Sequence, residues 1–156
     1  MTRTLRCQTL ALAIAAVLSA PMAAQSDRTE QTLPFEVDKA ATLTTTAGPV
    51  KVTSLRIANL GRGYSRGGLS LRSTNPPSEL STTLRMTFDV QNPLEQEWEV
   101  TFTVEFMDKD GKVIDRATKK EDYEDETAAL QMEHPLLEYV LPFISEVRVT
   151  VHGRRS

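Results

Sequence analysis

Apolar and polar residues alternate along two stretches in the middle of the chain, residues 84–91 and 98–106. The apolar positions are Leu84, Met86, Phe88, Val90, Trp98, Val100, Phe102, Val104 and Phe106. Alternation with a period of two residues is typical of antiparallel strands that bury one face and expose the other. The intervening charged residues exclude a central parallel strand, which would be apolar at nearly every position. The pattern predicts an all-β domain, either a sandwich or a small barrel.

The residues Asp-Lys-Asp-Gly at 108–111 predict a tight turn after the second stretch. A three-residue loop with Gly111 in the left-handed region would place Phe106 opposite Ile114. A slip of one residue would place Asp115 opposite Phe106 and turn a carboxylate toward the core. A fragment of a calcium loop is the alternative, but the later acidic ligand is missing at the required spacing. We therefore predict a turn and no metal.

Shorter alternating stretches extend the pattern on both sides, at residues 33–37, 49–58, 69–72, 128–132 and 147–151. A change of phase at Thr53 and Ser54 predicts a bulge within the second of these. Residues 135–141 instead have helical spacing after Pro135, which suits a first helical position, so one short helical turn is expected there. With no βαβ alternation and no internal repeat, we predict an immunoglobulin-like antiparallel β-sandwich of about seven strands.

The first 24 residues have the pattern of a signal peptide. Arg3 and Arg6 precede a run of small and apolar residues at 10–20, and small residues follow before the polar Gln25. The run is about half the roughly 20 residues that cross a bilayer, so no transmembrane segment is expected after processing. We predict a bacterial periplasmic or secreted protein, with a flexible leader at 25–32 and a single β-sandwich domain at 33–156.

Composition limits the chemistry of the predicted mature chain. The single cysteine, Cys7, lies within the signal peptide, so disulfides, thiol catalysis and thiolate metal sites are excluded from residues 25–156. These residues hold 16 Lys and Arg against 21 Asp and Glu, a net charge of −5. An acidic balance argues against a general nucleic-acid binder.

Residues 90–114 resemble the FxLYD-type and related bacterial immunoglobulin-like periplasmic domains. The resemblance rests on an Asn-Pro turn, then V-E-F-M-D, then K-D-G-K-V-I. Asp108 and Gly111 match the family pattern, whereas Val104 and Met107 stand where the family has aromatic residues. The matching residues are turn and core residues, so the resemblance implies a fold and no active site. It also implies similarity to accessory and binding modules of the cell envelope.

Candidate catalytic and metal-binding groups are few. His134 and His152 lie near strand ends, and no nucleophile elbow, H-E-x-x-H or paired-carboxylate motif gives them roles, so we predict no enzyme and no cofactor. The acidic residues at 121–126 could gather calcium, but their spacing favours a solvated loop that blunts a sheet edge. Trp98 continues the alternation, which favours the core over a ligand cavity.

Charge is distributed unevenly along the chain. Residues 39–85 carry a net charge of +6, whereas residues 89–146 carry −11. The glycine-rich segment 61–79 lies in the basic part, and such long irregular segments are often functional or disordered. Its candidate binding residues are Arg62, Tyr64, Arg66 and Arg72.

We expect an envelope binding or assembly module that contacts another envelope protein through a sheet edge or the segment 61–79. The alternatives are a binder of anionic glycan or lipid headgroups through this basic loop, or a loop that is only a flexible connector.

Overall fold

The computed structural model describes residues 27–61 and 80–156, and within them the chain is almost entirely β-strand. Eight strands and one 3₁₀ helix follow one another in the order of the chain. They are β1 (Asp27–Pro34), β2 (Ala40–Ala47), β3 (Val50–Asn59), β4 (Ser81–Asn92), β5 (Trp98–Met107), β6 (Val113–Tyr123), β7 (Glu126–Leu137), the 3₁₀ helix (Glu138–Phe143) and β8 (Glu146–Arg155). The prediction of an all-β fold is confirmed.

The strands form two antiparallel sheets of four strands each. One sheet has the order β1-β8-β5-β6 and the other has the order β2-β3-β4-β7. We call them the 1-8-5-6 sheet and the 2-3-4-7 sheet. The two stretches with the strongest alternation, β4 and β5, lie in different sheets and face each other across the core, where the Phe88 and Phe102 ring centroids are 5.3 Å apart. The predicted sandwich is confirmed, with eight strands in the described residues rather than about seven.

The core consists of the inward positions of the alternating strands. Its largest fully buried side chains include Phe88, Phe102, Phe106, Leu55, Leu84 and Met86. Every second residue is buried along β4 and along β5 and β8 except at Trp98 and Arg155, as expected when both sheets turn one pleated face inward. Burial of this apolar surface, at about 25 cal/mol per Å², is the main favourable contribution to folding.

The predicted leader at 25–32 is wrong from Asp27 onward. Asp27–Pro34 is a complete strand that pairs with β8, from Asp27 opposite Gly153 to Pro34 opposite Glu146. The stretch is polar because its outer face meets water and its inner face lies at the border of the core, where only Leu33 packs against apolar residues.

The turn at 108–111 is confirmed, but its predicted register is wrong. Asp108 Oδ1 accepts hydrogen bonds from the backbone N–H groups of Asp110 and Lys112, both at 2.9 Å. Gly111 has the positive φ of 76° that favours glycine. Beyond the turn, Phe106 lies opposite Asp115, because a β-bulge at the start of β6 leaves Ile114 as the additional residue.

The bulge predicted at Thr53 and Ser54 is confirmed by a register shift between Val52 and Ser54 where β3 pairs with β4. The predicted helical turn exists but begins later than expected. Pro135 lies inside β7, opposite Thr83, and the 3₁₀ helix starts only at Glu138. Proline is tolerated in β7 because this strand is an edge of its sheet. The predicted strand at 69–72 lies outside the described residues.

The up-and-down course of the strands gathers four connections at one end of the sandwich. They are residues 35–39, the β3–β4 connection (of which residues 60–61 and 80 are described), the turn 108–112 and the connection 138–145. We call this region the apolar end. The opposite end holds the connections 48–49, 93–97 and 124–125. No helix in the described part of the chain is long and apolar enough to cross a membrane.

Candidate functional site

The four predicted binding residues, Arg62, Tyr64, Arg66 and Arg72, lie outside the described residues. The points where their segment joins the sandwich are described. Leu60 N–H donates to Thr83 O at 2.9 Å, and the Asn59 side-chain oxygen accepts from Gly61 N–H at 2.9 Å. Gly61 and Leu80, the described residues on either side of positions 62–79, therefore lie at the apolar end of the sandwich.

Large apolar side chains are concentrated at this end. Among the described residues, six such side chains are exposed: Leu80, Leu94, Val113, Leu137, Tyr139 and Phe143. All of them except Leu94 lie at the apolar end. The most exposed are Tyr139 at 63% and Phe143 at 67%. Single exposed apolar residues are ordinary, but a concentration of them at one place is typical of a binding surface.

The 3₁₀ helix holds the two aromatic side chains in place. Glu138 N–H donates to Leu80 O at 2.8 Å where the helix begins, and Ile144 N–H donates to Leu141 O at 3.2 Å where it ends. Val140 and Leu141 pack against the core, and Ile144 is buried. Because alternate sides of this short helix face the core and water, Tyr139 and Phe143 are exposed on an anchored backbone.

A groove of about 790 Å³ lies between the 3₁₀ helix and the β5–β6 turn. Its apolar side is formed by Ile114, Val140, Pro142 and Phe143, and Asp108, Lys109 and Asp110 form its polar rim. The backbone beneath it is tied to both neighbouring strands, because Ser145 N–H donates to Met107 O at 2.8 Å and Phe35 N–H donates to Ser145 O at 2.9 Å. The groove can accept an apolar side chain without rearrangement of this backbone.

The β1 and β2 edges of the sandwich are already engaged with each other. Thr29 Oγ1 donates to Thr46 O at 2.6 Å and accepts from Thr46 N–H at 2.9 Å. Gln31 Nε2 donates to Thr42 O at 3.3 Å, and its Oε1 accepts from Thr44 N–H at 3.0 Å. Two side chains of β1 thus satisfy backbone groups that an added strand would need on β2.

The β6 edge carries charges on the face that points between the sheets, toward the β7 edge. Asp115 and Lys119 lie there, in register with the core residues Phe106 and Phe102. Lys119 Nζ donates to the backbone O of Gln131 on β7 at 3.0 Å. Inward charges of this kind protect a sheet edge against pairing with another strand. Recognition through a sheet edge, which the sequence left open, has less support than recognition at the apolar end.

The two histidines lie on different surfaces. His134, on β7, donates from Nε2 to Asp115 Oδ2 at 3.1 Å and stacks on the ring of Phe106. His152, on β8, lies on the outer face of the 1-8-5-6 sheet beside Arg28. Within the described ranges no three His, Cys, Asp or Glu side chains are placed to hold a metal ion together. The absence of catalysis stays a prediction.

The acidic residues of segment 121–126 are exposed to solvent, as the sequence predicted, but the predicted loop is wrong. Its first three residues complete β6, Glu126 begins β7, and only Glu124 and Asp125 form the turn between them. Tyr123 is buried against Phe102, with ring centroids 6.3 Å apart, and its burial raises the pKa of the phenol well above its ordinary value of 10. The charges of Glu121 and Glu126 act in the same direction.

Trp98 is half-buried and packs against the core, as its alternation predicted. Its ring also covers Gly48, which has a φ of 61°, so the β2–β3 turn lies directly against it.

Comparison with known proteins does not assign the chain to a family. No protein-family model matches the chain, and no curated protein matches it. Among solved structures, the chain is similar to the enzymatically active domain of tailspike protein 4 from bacteriophage CBA120, with a TM-score of 0.23 and 8% identity. The match covers 83% of this chain and 17% of the tailspike chain. A likeness at this level carries no argument about fold or function.

Proposed function

We propose that this protein is an exported envelope module that binds another envelope protein through its apolar end. The observation that carries the proposal is the concentration of exposed Leu80, Val113, Leu137, Tyr139 and Phe143 at one end of the sandwich. Export rests on the predicted signal peptide at 1–24 and stays a prediction.

Tyr139 and Phe143 supply the chemistry that protein recognition uses most. Aromatic side chains are enriched at the centres of interfaces, because each covers a large area and loses little conformational entropy when it is fixed. Here both belong to a short helix whose inner side is anchored in the core. Little additional ordering is therefore needed on binding, and less of the interaction energy is lost.

The groove beside Phe143 indicates what the partner contributes. Its floor is apolar and its rim carries the carboxylates of Asp108 and Asp110 beside Lys109. We infer that the partner inserts an apolar side chain into the groove and surrounds it with polar groups. This is the usual arrangement of a binding hot spot with a polar rim.

The proposal is tested with the double variant Tyr139→Ser/Phe143→Ser. Both side chains are exposed, so the free energy of unfolding should change by no more than about 0.5 kcal/mol for each substitution. In a host strain that lacks the native gene, the double variant should be exported and folded but should fail to restore the phenotype. A double variant that melts like the wild type and restores the phenotype fully would contradict the proposal.

The chain offers a matched control at the opposite end. Leu94 is 42% exposed and Leu137 is 40% exposed, so Leu94→Ser and Leu137→Ser make the same chemical change at equal exposure. We expect only Leu137→Ser to weaken the function. Equal effects of the two variants would show that the loss of an exposed leucine weakens the function at either end of the sandwich, so that the apolar end has no special role.

A further inference from the structure

The outer face of the 1-8-5-6 sheet carries a row of hydroxyl groups between two rows that contain cations. Thr150, Thr103 and Thr118 are register partners on β8, β5 and β6 and form the hydroxyl row, and Glu30 occupies the β1 position of this row. The next row toward the chain termini contains Arg28, His152, Thr101 and Lys120, and the row on the other side contains Thr32, Arg148, Glu105 and Arg116.

Strand geometry fixes the spacing of this array. Neighbouring strands lie about 4.8 Å apart, and residues two apart along a strand are separated by about 6.5–7 Å. The hydroxyl row therefore has a row with basic side chains on each side at about that distance. The region is also concave, because Arg28, Thr103, Glu105, Arg116, Thr150 and His152 line a groove of about 650 Å³. This volume lies within the range of about 300–1,000 Å³ that is usual for ligand sites.

The one carboxylate in the groove is shared by two cations. Glu105 Oε1 accepts from Arg116, and Glu105 Oε2 lies 3.0 Å from Arg148 Nε, an ion pair in which the angle is too bent for a hydrogen bond. The Glu105 side chain is only 12% exposed, whereas that of Arg116 is 61% exposed. Because a guanidinium has five N–H donors, Arg116 retains donors that face the groove after it has paired with Glu105.

Arg28 adds a second exposed guanidinium on the other side of the hydroxyl row. Its nearest acidic partner is Glu30, with 3.7 Å between Nη2 and Oε2, and its side chain is 66% exposed. Exposed ion pairs at this distance are weak, so the guanidinium of Arg28 can exchange Glu30 for a ligand carboxylate at little cost.

We propose that this groove binds an acidic glycan, a chain of sugar residues that carry carboxylate groups. Threonine hydroxyls both donate and accept hydrogen bonds, which suits the hydroxyl groups of a sugar. Arg28 and Arg116 can each bind a carboxylate through two parallel N–H donors. The site lies on a strand face and not at the apolar end, so it is independent of the proposed protein-binding surface.

The same face is poorly suited to a membrane. Stable binding to a lipid surface combines basic groups with apolar side chains that enter the acyl region. Of the six exposed large apolar side chains, only Val113 lies on the outer face of the 1-8-5-6 sheet, where it is the register partner of Met107 at the apolar end, and it does not line the groove. This site also differs from the basic segment 61–79, which the sequence suggested for anionic ligands.

The direct test is titration calorimetry with oligogalacturonate, a carboxylated glycan, at low salt. We expect binding by the wild type, and a loss of at least tenfold in affinity in the variant Arg28→Gln/Arg116→Gln. The matched control is Lys51→Gln/Arg56→Gln, which makes the same charge change on exposed positions of the 2-3-4-7 sheet and should alter the affinity less than twofold. Thermal melting establishes that each variant is folded.

Three further ligands distinguish the glycan from simpler anions. Fully methyl-esterified oligogalacturonate, which keeps the sugar hydroxyls but loses the charge, should bind at least tenfold more weakly. Inorganic phosphate and vesicles of anionic phospholipid should not bind in the same range. Absence of oligogalacturonate binding, equal binding by the arginine variant, or equal or stronger binding of the ester, phosphate or vesicles would overturn the proposal.

The hydroxyl row is tested separately with Thr103→Val/Thr150→Val. Valine keeps the β-branched shape that suits a strand, so the fold should be retained while two hydroxyl groups are removed. We expect a threefold to tenfold loss of affinity for oligogalacturonate. Unchanged affinity would show that charge alone holds the ligand and would overturn the assignment to a glycan.

Discussion

His134 donates a hydrogen bond from Nε2 to Asp115 Oδ2 at 3.1 Å, and this contact joins β7 of one sheet to β6 of the other. The imidazole ring lies nearly parallel to that of Phe106, with centroids 5.9 Å apart and planes inclined by 16°. Phe106 is in turn the register partner of Asp115. The contact explains how a carboxylate occupies a position that the sequence pattern assigned to an apolar side chain.

Removal of this carboxylate should destabilise the sandwich slightly. Because the Asp115 side chain is 39% exposed, solvent screens the interaction, and we expect Asp115→Ala to lower the free energy of unfolding by about 0.5–1 kcal/mol. Urea unfolding of Asp115→Ala, His134→Ala and the double variant would measure their coupling. Asp110→Ala, in the exposed turn, is the control. A coupling energy of zero would contradict the role given to the pair.

Glu99 should contribute to the acid sensitivity of the fold. Hydrogen bonds from Arg154 and then Lys120 hold the pKa of this carboxyl below its ordinary value of 4.5. A lowered pKa stabilises the folded state above pH 4.5, and the contribution is lost as the pH falls through the folded-state value. The melting temperature of Glu99→Gln should therefore be below that of the wild type at pH 7 and approach it at pH 3. An equal difference at both pH values would show that the ion pairs of Glu99 are not responsible.

Tyr123 should be replaceable by phenylalanine but not by alanine. Its hydroxyl oxygen is buried and has no hydrogen-bond partner among the described residues, so Tyr123→Phe removes an unpaired polar group. We expect the free energy of unfolding to be unchanged or raised by up to about 1 kcal/mol. Tyr123→Ala leaves a cavity beside Phe102 and should cost about 3–5 kcal/mol. Strong destabilisation by Tyr123→Phe would reveal a hydrogen bond that this structure does not contain.

Gly153 should not tolerate a side chain. A Cβ atom added there would lie 2.8 Å from the Cβ of Ala47 and 3.0 Å from its carbonyl oxygen. The two sheets approach closely at this point, so Gly153→Ala should cost about 1–3 kcal/mol through overpacking. Thermal melting of Gly153→Ala and of Gly153→Ala/Ala47→Gly would check the cause. If the second substitution restores no stability, the clash between the two Cβ atoms is not the reason for the loss.

Sequence patterns predicted the core well because most inward residues of β4, β5 and β8 are apolar and most outward residues are polar, with the buried Thr82 and Asn92 as exceptions on β4. They did not predict β1, because its inner positions Thr29 and Gln31 are polar and bond to backbone groups of β2. The register after the β5–β6 turn was also wrong. The observed register places Asp115 in contact with His134. These two residues are neighbours only in the folded chain, so the sequence pattern could not show this contact.

The candidate binding surface could not be predicted for a similar reason. Tyr139 and Phe143 lie in or next to a stretch with helical spacing, and nothing local distinguishes an exposed aromatic residue from a buried one. Their exposure, and their position at the same end as Leu80 and Val113, follow from the order of strands in the two sheets. Arg62, Tyr64, Arg66 and Arg72 stay a prediction, as does the resemblance to FxLYD-type domains.

The proposed protein-binding function is tested most directly by photo-crosslinking in intact cells of the native host. A photoreactive phenylalanine analogue is placed at Phe143 in one strain and, as a control, at Leu94 in another. The proposal predicts one discrete crosslinked product with an envelope protein from position 143, none from position 94, and loss of the product when Tyr139→Ser is added. Equal products from both positions, or none from position 143 in folded and exported protein, would contradict binding at the apolar end.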